Sequence, residues 1–302
     1  MRKKIVLLAV LAIALIAAAC GGGPRIVGEI QTTMHSANEV AISFRTAGEA
    51  TSRVAYGVNG EYTASTAEQT GREHQHIVPV EAFKDYNFIV YVSDDTGELV
   101  SDEIKFTLLV HDEFEGKLAD FWTIYNNYDN ARVAVIDGKL QIDGFHKNGT
   151  DNNQKGIVSA QPLNLAGRTT VIEIDYVVAN HMEQNPGFAG EIIQGDDVWW
   201  HNGFRLTGYG DSFNTSMFNG GDGSIGGMNI GDLELPYTLT WILKHEKDKE
   251  FTIEVKINGV SRHVGPLNIG SLNPEALYFY LYVSNNNQDG PSVFDRVTIY
   301  QK

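Results

Sequence analysis

The sequence predicts an all-β protein made of two β-sandwich domains. Short runs in which apolar and polar residues alternate recur along the 302 residues, and turn-forming residues separate them. After the first twenty residues, no long stretch has the period of an amphipathic helix. The chain is rich in glycine, with 31, and poor in proline, with 8, as expected of strands joined by tight turns.

The first twenty residues predict a secretory signal. Basic residues at positions 2–4 precede an unbroken apolar run, Ile5–Ala19, which is shorter than the ~20 residues of a membrane-spanning helix. The run ends in three alanines and Cys20, the only cysteine. This ending resembles the lipobox of bacterial lipoproteins, which implies a lipidated Cys20 that anchors the protein to the outer side of a cell membrane. An ordinary signal with a chance cysteine is the alternative.

The charge and the cysteine count limit the possible partners and the source of stability. A formal net charge of −15 argues against nucleic acid as a partner, whereas neutral glycans and divalent cations remain compatible. Because no second cysteine is present, no disulfide can hold either domain together, and each needs a hydrophobic core of its own. Residues 21–25 form a short glycine-rich tether.

The first predicted domain spans Ile26–Leu109. Val40, Ile42 and Phe44 alternate with smaller or polar residues, which is typical of a half-buried strand. The predicted strands are Ile26–Thr32, Glu39–Arg45, Ser52–Gly57, His74–Pro79, Asn87–Ser93 and Ile104–Leu108. Short strands at this spacing favour an immunoglobulin-type β-sandwich.

Three segments of this domain, Val54–Gly57, His74–Val78 and Tyr86–Ser93, resemble fibronectin type III domains, in the variant that precedes the catalytic domain of purple acid phosphatases. No metallophosphatase motif follows, so the resemblance implies a spacer. His74 and His76 are predicted to be polar residues on one face of an outer strand. A metal pair is less favoured, because no carboxylates accompany them at ligand spacing.

The second predicted domain spans Val110–Lys302. Asp137-Gly138 and Asn258-Gly259 predict tight hairpin turns. Apart from the hairpin at Val135–Ile142, the predicted strands are Gly156–Ala160, Thr170–Val178, Val198–Thr207, Tyr237–His245, Phe251–Ile257, Leu277–Ser284 and Val293–Tyr300. About ten strands without crossover helices indicate a larger double sheet.

The order and spacing of several weak motifs in this domain resemble the concanavalin A-like lectin and glucanase superfamily. The motifs are Asp112–Gly116 with Trp122, Asp137–Ile142, Glu173–Tyr176, Lys256–Gly259 and Phe294–Val297. The resemblance implies a jelly roll of two curved sheets, with a glycan lying across the concave one. It also implies a structural Ca²⁺ where the first and last strands meet, held by Asp112 or Glu115 and by Asp295, although ordinary surface acids are an equal alternative.

Candidate binding residues come from strands whose two faces differ. Trp200, Phe204 and Leu206 share an apolar face, so the neighbouring positions form an aromatic and cationic one. The candidates are Trp199, His201, Arg205, Tyr209, Tyr280 and Tyr282, with Glu173 and Asp175 as hydroxyl acceptors. Alternatively, the tyrosines line an exposed outer sheet, and Arg205 forms a structural ion pair with Glu173, Asp175 or Glu191.

Glu173 and Asp175 also raise the possibility of catalysis. They match the first two acids of the laminarinase-type pattern Glu-x-Asp-x-x-Glu, but Val178 occupies the third position. Glu183 comes too late, in a predicted loop, and Glu191 could substitute only from another segment. The sequence therefore predicts glycan binding without cleavage. A glycoside hydrolase with a rearranged acid pair and a structural or adhesive surface module are the alternatives.

Overall fold

The protein is all-β, as predicted. The structure is a computed structural model, and it describes residues 23–126, 131–144, 153–178, 183–191, 202–209, 212–219, 234–285 and 291–302. These residues form twenty strands, and none of them lies in a helix long and apolar enough to cross a membrane. They divide into two compact units, and Leu109–Gln301 makes up the second one.

Unit 1, the described residues up to Leu108, is built around one long strand. Its strands are β1 (Ile26–Ser36), β2 (Glu39–Val58), β3 (Ala64–Ser65), β4 (Gln69–Pro79), β5 (Asp85–Asp94), β6 (Gly97–Val100) and β7 (Ile104–Asp112). β1, β3, β4 and β5 all pair with β2, whereas β6 and β7 pair with β5.

The prediction of two separate strands, Glu39–Arg45 and Ser52–Gly57, was wrong, because both belong to β2. The β2–β4 register is interrupted between Arg45 and Ala50, so the chain bends there without leaving the sheet. Val40, Ile42, Val54, Val78, Phe88, Val90 and Phe106 are among the buried apolar residues of the unit.

His74 and His76 lie on one face of an outer strand, as predicted, because β4 pairs with β2 alone among the described strands, but that face is buried. Both side chains are buried on β4, where the Phe44 ring stacks against His74 with ring centroids 4.8 Å apart. Their ring nitrogens bond to the hydroxyls of Ser52 and of two threonines. The pair is therefore part of the interior of unit 1.

Unit 2 contains the end of β7 and thirteen further strands. These are β8 (Trp122–Asn126), β9 (Ala131–Ile136), β10 (Lys139–Gly144), β11 (Asn153–Ser159), β12 (Thr169–Val178), β13 (Glu183–Ala189), β14 (Asn202–Tyr209), β15 (Ser212–Asn219), β16 (Tyr237–Lys247), β17 (Glu250–Ile257), β18 (Val260–Asn268), β19 (Tyr278–Asn285) and β20 (Ser292–Gln301). Both predicted hairpin turns are present, with φ of 52° at Asp137 and 50° at Asn258.

Two antiparallel sheets make up unit 2. The first, which we call the β12 sheet, has the order β20-β12-β16-β17-β18, with β10 attached to β20 and β9 to β10. The second, which we call the β19 sheet, has the order β15-β14-β13-β19-β11-β8. The chain crosses repeatedly between the two sheets, so strands close in sequence often lie in different layers.

One hydrophobic core joins the inner faces of the two sheets. From the β12 sheet, Trp241 places its ring 5.7 Å from the ring of Phe188 and 5.8 Å from that of Phe204, both of which belong to the β19 sheet. Ile172, Ile174, Leu239, Val255 and Ile299 come from the β12 sheet, and Ile157, Leu206, Phe279, Leu281 and Val283 come from the β19 sheet. Each sheet therefore has one face in this core and one face turned away from it.

Candidate functional site

Several predicted binding residues lie on the face of the β19 sheet that points away from the core. Phe279 and Leu281 enter the core, so the tyrosines that alternate with them lie on the opposite face. Strand pairing adds residues from β8, β11, β13 and β14 to this face. We call it the tyrosine face, and it comprises Tyr125, Val158, Gly187, Ala189, Arg205, Tyr278, Tyr280 and Tyr282.

Gly187 allows the Tyr280 ring to lie flat on the sheet. These two residues are register partners, and a Cβ on Gly187 would come within 2.4 Å of Cζ and of the hydroxyl of Tyr280. The Tyr280 hydroxyl reaches across β13 to the carbonyl of Phe204, at 3.5 Å. The ring also stacks on Tyr282, with centroids 5.2 Å apart and planes 30° apart. The glycine therefore creates a flat aromatic layer on this face.

Arg205 places a positive charge on the same layer. It is the register partner of Gly187 on β14, and its guanidinium lies 5.5 Å from the centroid of the Tyr282 ring. That distance is within the range of a cation–π interaction. Burial raises the pKa of Tyr280, and the nearby Arg205 opposes this shift only in part. Since the phenol stays neutral, it can act as a hydrogen-bond donor.

The aromatic layer formed by Tyr280 and Tyr282 is buried from solvent. Tyr280 is 2% exposed and Tyr282 is 1% exposed, whereas Tyr278 and Arg205 are half-buried. The alternative in which the tyrosines line an exposed outer sheet does not fit these burial values. Tyr280 and Tyr282 form a floor, and Tyr278 and Arg205 are the members that reach solvent.

Other predicted binding residues fall beyond what the structure describes. Trp199 and His201 lie outside the described residues. Tyr209 ends β14, at a position whose parity matches that of Arg205, but its side chain is also outside the described part. Their contribution to the face remains a prediction.

Sequence reasoning missed Gly187 and Tyr125. Glu183 was predicted to lie in a loop, but it begins β13 (Glu183–Ala189), which lies between β14 and β19. A period-2 pattern is visible only in Phe188 and its neighbours. Tyr125 lies on β8 opposite Gly156, and only the strand register connects it to Tyr282.

Glu173 and Asp175 lie on the other side of the sandwich, so the prediction that they share a face with the tyrosines was wrong. They are on β12, and Ile174 between them points into the core. Asp175 accepts a bond from Arg296 Nε at 2.9 Å and another from Thr238 Oγ1 at 2.6 Å, while Glu173 lies 3.9 Å from Arg296. Their role in the structure is a surface ion-pair cluster.

The two other acids considered for catalysis do not complete this pair. Glu183 begins β13 and Glu191 is exposed just after the end of β13, so both belong to the β19 sheet or its loops. The core separates them from Glu173. A retaining glycosidase needs two carboxyl groups about 5–5.5 Å apart, and the described acids offer no such pair across the core.

Asp112 and Asp295 do not fit the predicted calcium site. Asp112 is buried, and its carboxylate already accepts three bonds: from the Phe114 N–H at 2.8 Å, the Ala119 N–H at 3.0 Å and the Trp122 Nε1–H at 2.9 Å. Asp295 is paired with Lys139. Within the described ranges, no group of three acidic, histidine or cysteine side chains is arranged to hold a metal ion.

No protein-family model and no curated protein matches the chain, but solved structures do. Peanut lectin with a 9mer peptide is 8% identical, with a TM-score of 0.48, and the match covers 66% of this chain and 98% of the lectin. The VIP36 exoplasmic/lumenal domain in its Ca²⁺/Man3GlcNAc-bound form is 8% identical, with a TM-score of 0.45 and coverages of 64% and 88%. A structure from work on endo-acting O-glycanases of the human gut microbiota is 14% identical, with a TM-score of 0.44 and coverages of 64% and 98%.

Proposed function

We propose that unit 2 is a carbohydrate-binding module of concanavalin A-like type, and that its glycan binds on the tyrosine face. The observation that carries the proposal is the layer formed by Gly187, Tyr280, Tyr282 and Arg205. Packing of the two buried tyrosines does not by itself require a cation, yet the half-buried Arg205 places its guanidinium 5.5 Å from the centroid of the Tyr282 ring. Aromatic surface with a few fixed polar groups suits sugar rings.

In this proposal the buried tyrosines shape the floor and other groups contact the sugar. Arg205 and Tyr278 are half-buried, so both have surface available to a ligand. Trp199, His201 and Tyr209 are proposed to add aromatic and hydrogen-bonding groups from β14 and the segment before it. Glu173 and Asp175 take no part, because they lie across the core.

Binding to a glycan panel by the chain that starts at Gly21 tests this proposal. Arg205→Ala and Trp199→Ala should each weaken binding about tenfold or more, which corresponds to ~1.4 kcal/mol. Arg132→Ala is the matched control, because Arg132 is an exposed arginine on β9 of the other sheet. Binding that is unchanged in both variants would refute a site on this face.

A second function is favoured by one observation. Tyr125, Tyr280 and Tyr282 are all almost fully buried, which is what a structural or adhesive module with a filled face would require. In that case no glycan of the panel binds, and Trp199→Ala affects only stability. The panel therefore distinguishes the two functions directly.

We further propose that lipidated Cys20 anchors the chain on the outer side of a bacterial membrane, and that unit 1 is a fibronectin type III-like spacer. The sequence of residues 1–20 supports the anchor. Metabolic labelling with an alkyne fatty acid should mark the wild-type protein in the membrane fraction, and Cys20→Ser should lose the label. A labelled Cys20→Ser variant would contradict the proposal.

A further inference from the structure

Unit 1 contains a chain of buried side-chain hydrogen bonds that links β2 to β4. Ser52 Oγ lies 2.7 Å from His74 Nδ1 and 2.8 Å from His76 Nε2. His76 Nδ1 lies 2.9 Å from Thr66 Oγ1, and His74 Nε2 lies 3.3 Å from Thr46 Oγ1. We call these five side chains the histidine wire. Ser52, His74 and His76 are each no more than 3% exposed.

The wire has a definite direction at its Thr66 end. Thr66 Oγ1 already accepts the backbone N–H of Val54, at 3.0 Å. Its own hydroxyl hydrogen therefore goes to His76 Nδ1, the one further partner of this hydroxyl among the described residues. His76 then carries its proton on Nε2 and donates it to Ser52 Oγ. In the opposite direction the hydroxyl hydrogen of Thr66 would have no acceptor within the described part of the chain.

The same direction of donation also gives the groups at the Thr46 end of the wire their hydrogen-bond partners. Ser52 donates its hydroxyl hydrogen to His74 Nδ1, so His74 also carries its proton on Nε2 and donates it to Thr46 Oγ1. Thr46 in turn donates to the carbonyl of Gly48, at 2.8 Å. Every hydrogen of the wire then has an acceptor, and both histidines are neutral.

A proton added to either ring would break this order. A charged His76 donates from both nitrogens, so Thr66 must accept where it had donated, and its hydroxyl hydrogen loses its acceptor. A charged His74 has the same effect on Ser52. The ring face of Phe44 lies against both histidines, with centroids 4.8 Å and 6.2 Å away.

Few charges act on the wire. Burial lowers the pKa of His74, and it outweighs two opposing effects, a hydrogen bond with the backbone of Gly71 and the charge of Glu73. Glu73 itself is exposed and ion-paired with Arg45 at 3.0 Å. Burial, with help from His74, lowers the pKa of His76 from 6.5 to about 4.

We propose that the histidine wire is an acid-sensitive lock, which holds β4 on β2 while both rings are neutral and releases β4 when they are protonated. The thermodynamic direction follows from proton binding. Below pH 6.5 a released His76 binds a proton that the closed form excludes until about pH 4, so the closed form loses stability as the pH falls through that window. The stabilisation is complete above the window.

Hydrogen exchange of the chain that starts at Gly21, corrected for the intrinsic pH dependence of exchange, tests the lock. Between neutral pH and pH about 4, protection of the β4 amides should fall by ~100-fold, and at still lower pH it should approach the ~300-fold limit set by the shift of His76 alone. A double variant, His74→Gln with His76→Gln, should lose most of this dependence. His35→Gln, a change at an exposed histidine of β1, should keep it. Wild-type protection that does not change with pH, or a double variant that keeps the wild-type dependence, would overturn the proposal.

A second measurement does not depend on the folding of any variant. Nitrogen NMR of the wild-type histidines should find His74 and His76 neutral, each with its proton on Nε2, at pH values where exposed histidines are half protonated. A His76 ring that is already charged in the folded protein near pH 6, or one with its proton on Nδ1, would overturn the direction of the wire and the lock with it.

Discussion

Replacing Asp112 by asparagine tests how the first loop of unit 2 is held. The Asp112 carboxylate accepts three N–H groups, from Phe114, Ala119 and Trp122, at 2.8–3.0 Å. In Asp112→Asn one oxygen becomes an NH₂ group, which faces at least one of these donors. At least one bond to a charged acceptor is lost and one buried N–H is left without a partner, so we expect unit 2 to lose about 2–4 kcal/mol.

The assay follows from the distribution of tryptophan. All four tryptophans of the chain lie beyond Leu109, so tryptophan fluorescence during urea unfolding reports unit 2 alone. Asp120→Asn is the matched control, because Asp120 lies in the same loop with its side chain 98% exposed. The control should change the unfolding free energy by less than about 0.5 kcal/mol.

The same assay separates a hydrogen-bonded clamp from a calcium ligand. Because the three N–H groups occupy the Asp112 oxygens, excess Ca²⁺ or a chelator should leave the wild-type urea midpoint unchanged. The reasoning is refuted if Asp112→Asn behaves like the Asp120 control. It is equally refuted if calcium raises the wild-type midpoint and the Asp112 variant loses that response.

Three other substitutions test the description of unit 2. Gly187→Ala would place a methyl group 2.4 Å from the Tyr280 ring. We therefore expect the free energy of unfolding of unit 2, measured by tryptophan fluorescence, to fall by about 1–3 kcal/mol. Gly48→Ala, where a Cβ meets nothing within 4 Å, should leave that free energy unchanged. Glu173→Gln should leave glycan binding unaffected, and neither protein should release reducing sugar from β-glucans; release that disappears in the variant would restore the hydrolase hypothesis. Arg296→Gln removes the partner of two partly buried acids, Glu173 and Asp175, whose side chains are 20% and 26% exposed. It should therefore cost about 1–3 kcal/mol by urea unfolding; a change below about 0.5 kcal/mol would mean that the ion pairs contribute little to the fold.

Strand parity could be predicted from the sequence, because it is a local property. The alternation in β12 and β19 places Ile174 and Leu281 in the core and Asp175 and Tyr280 on the opposite faces, as expected. The sheet to which each strand belongs is not local, since it depends on pairings between distant segments. Glu173 and Tyr280 were therefore assigned to one face, although the core lies between their sheets.

Segments with turn-like composition were the other source of error. Glu183 was predicted to lie in a loop, yet it lies in β13 together with the turn-forming residues Pro186 and Gly187. The β13–β14 register runs from Gln184 directly to Gly187, so Pro186 lies where that ladder is interrupted and its missing N–H is tolerated. The burial of His74 and His76 was not predicted for a different reason, because only the folded structure brings Ser52 to a position where it can bond to both rings.

The position of β20 has a consequence for how the protein is made. β20 is the last strand of unit 2 along the chain, yet it lies between β12 and β10 and pairs with both. Until β20 has emerged from the ribosome, the β12 sheet lacks the strand that connects β12 to β10. The pairings that β20 forms also span more than a hundred residues of sequence, as between Thr170 and Gln301. Unit 2 can therefore complete its folding only once β20 has been synthesised, through slow, non-local pairing.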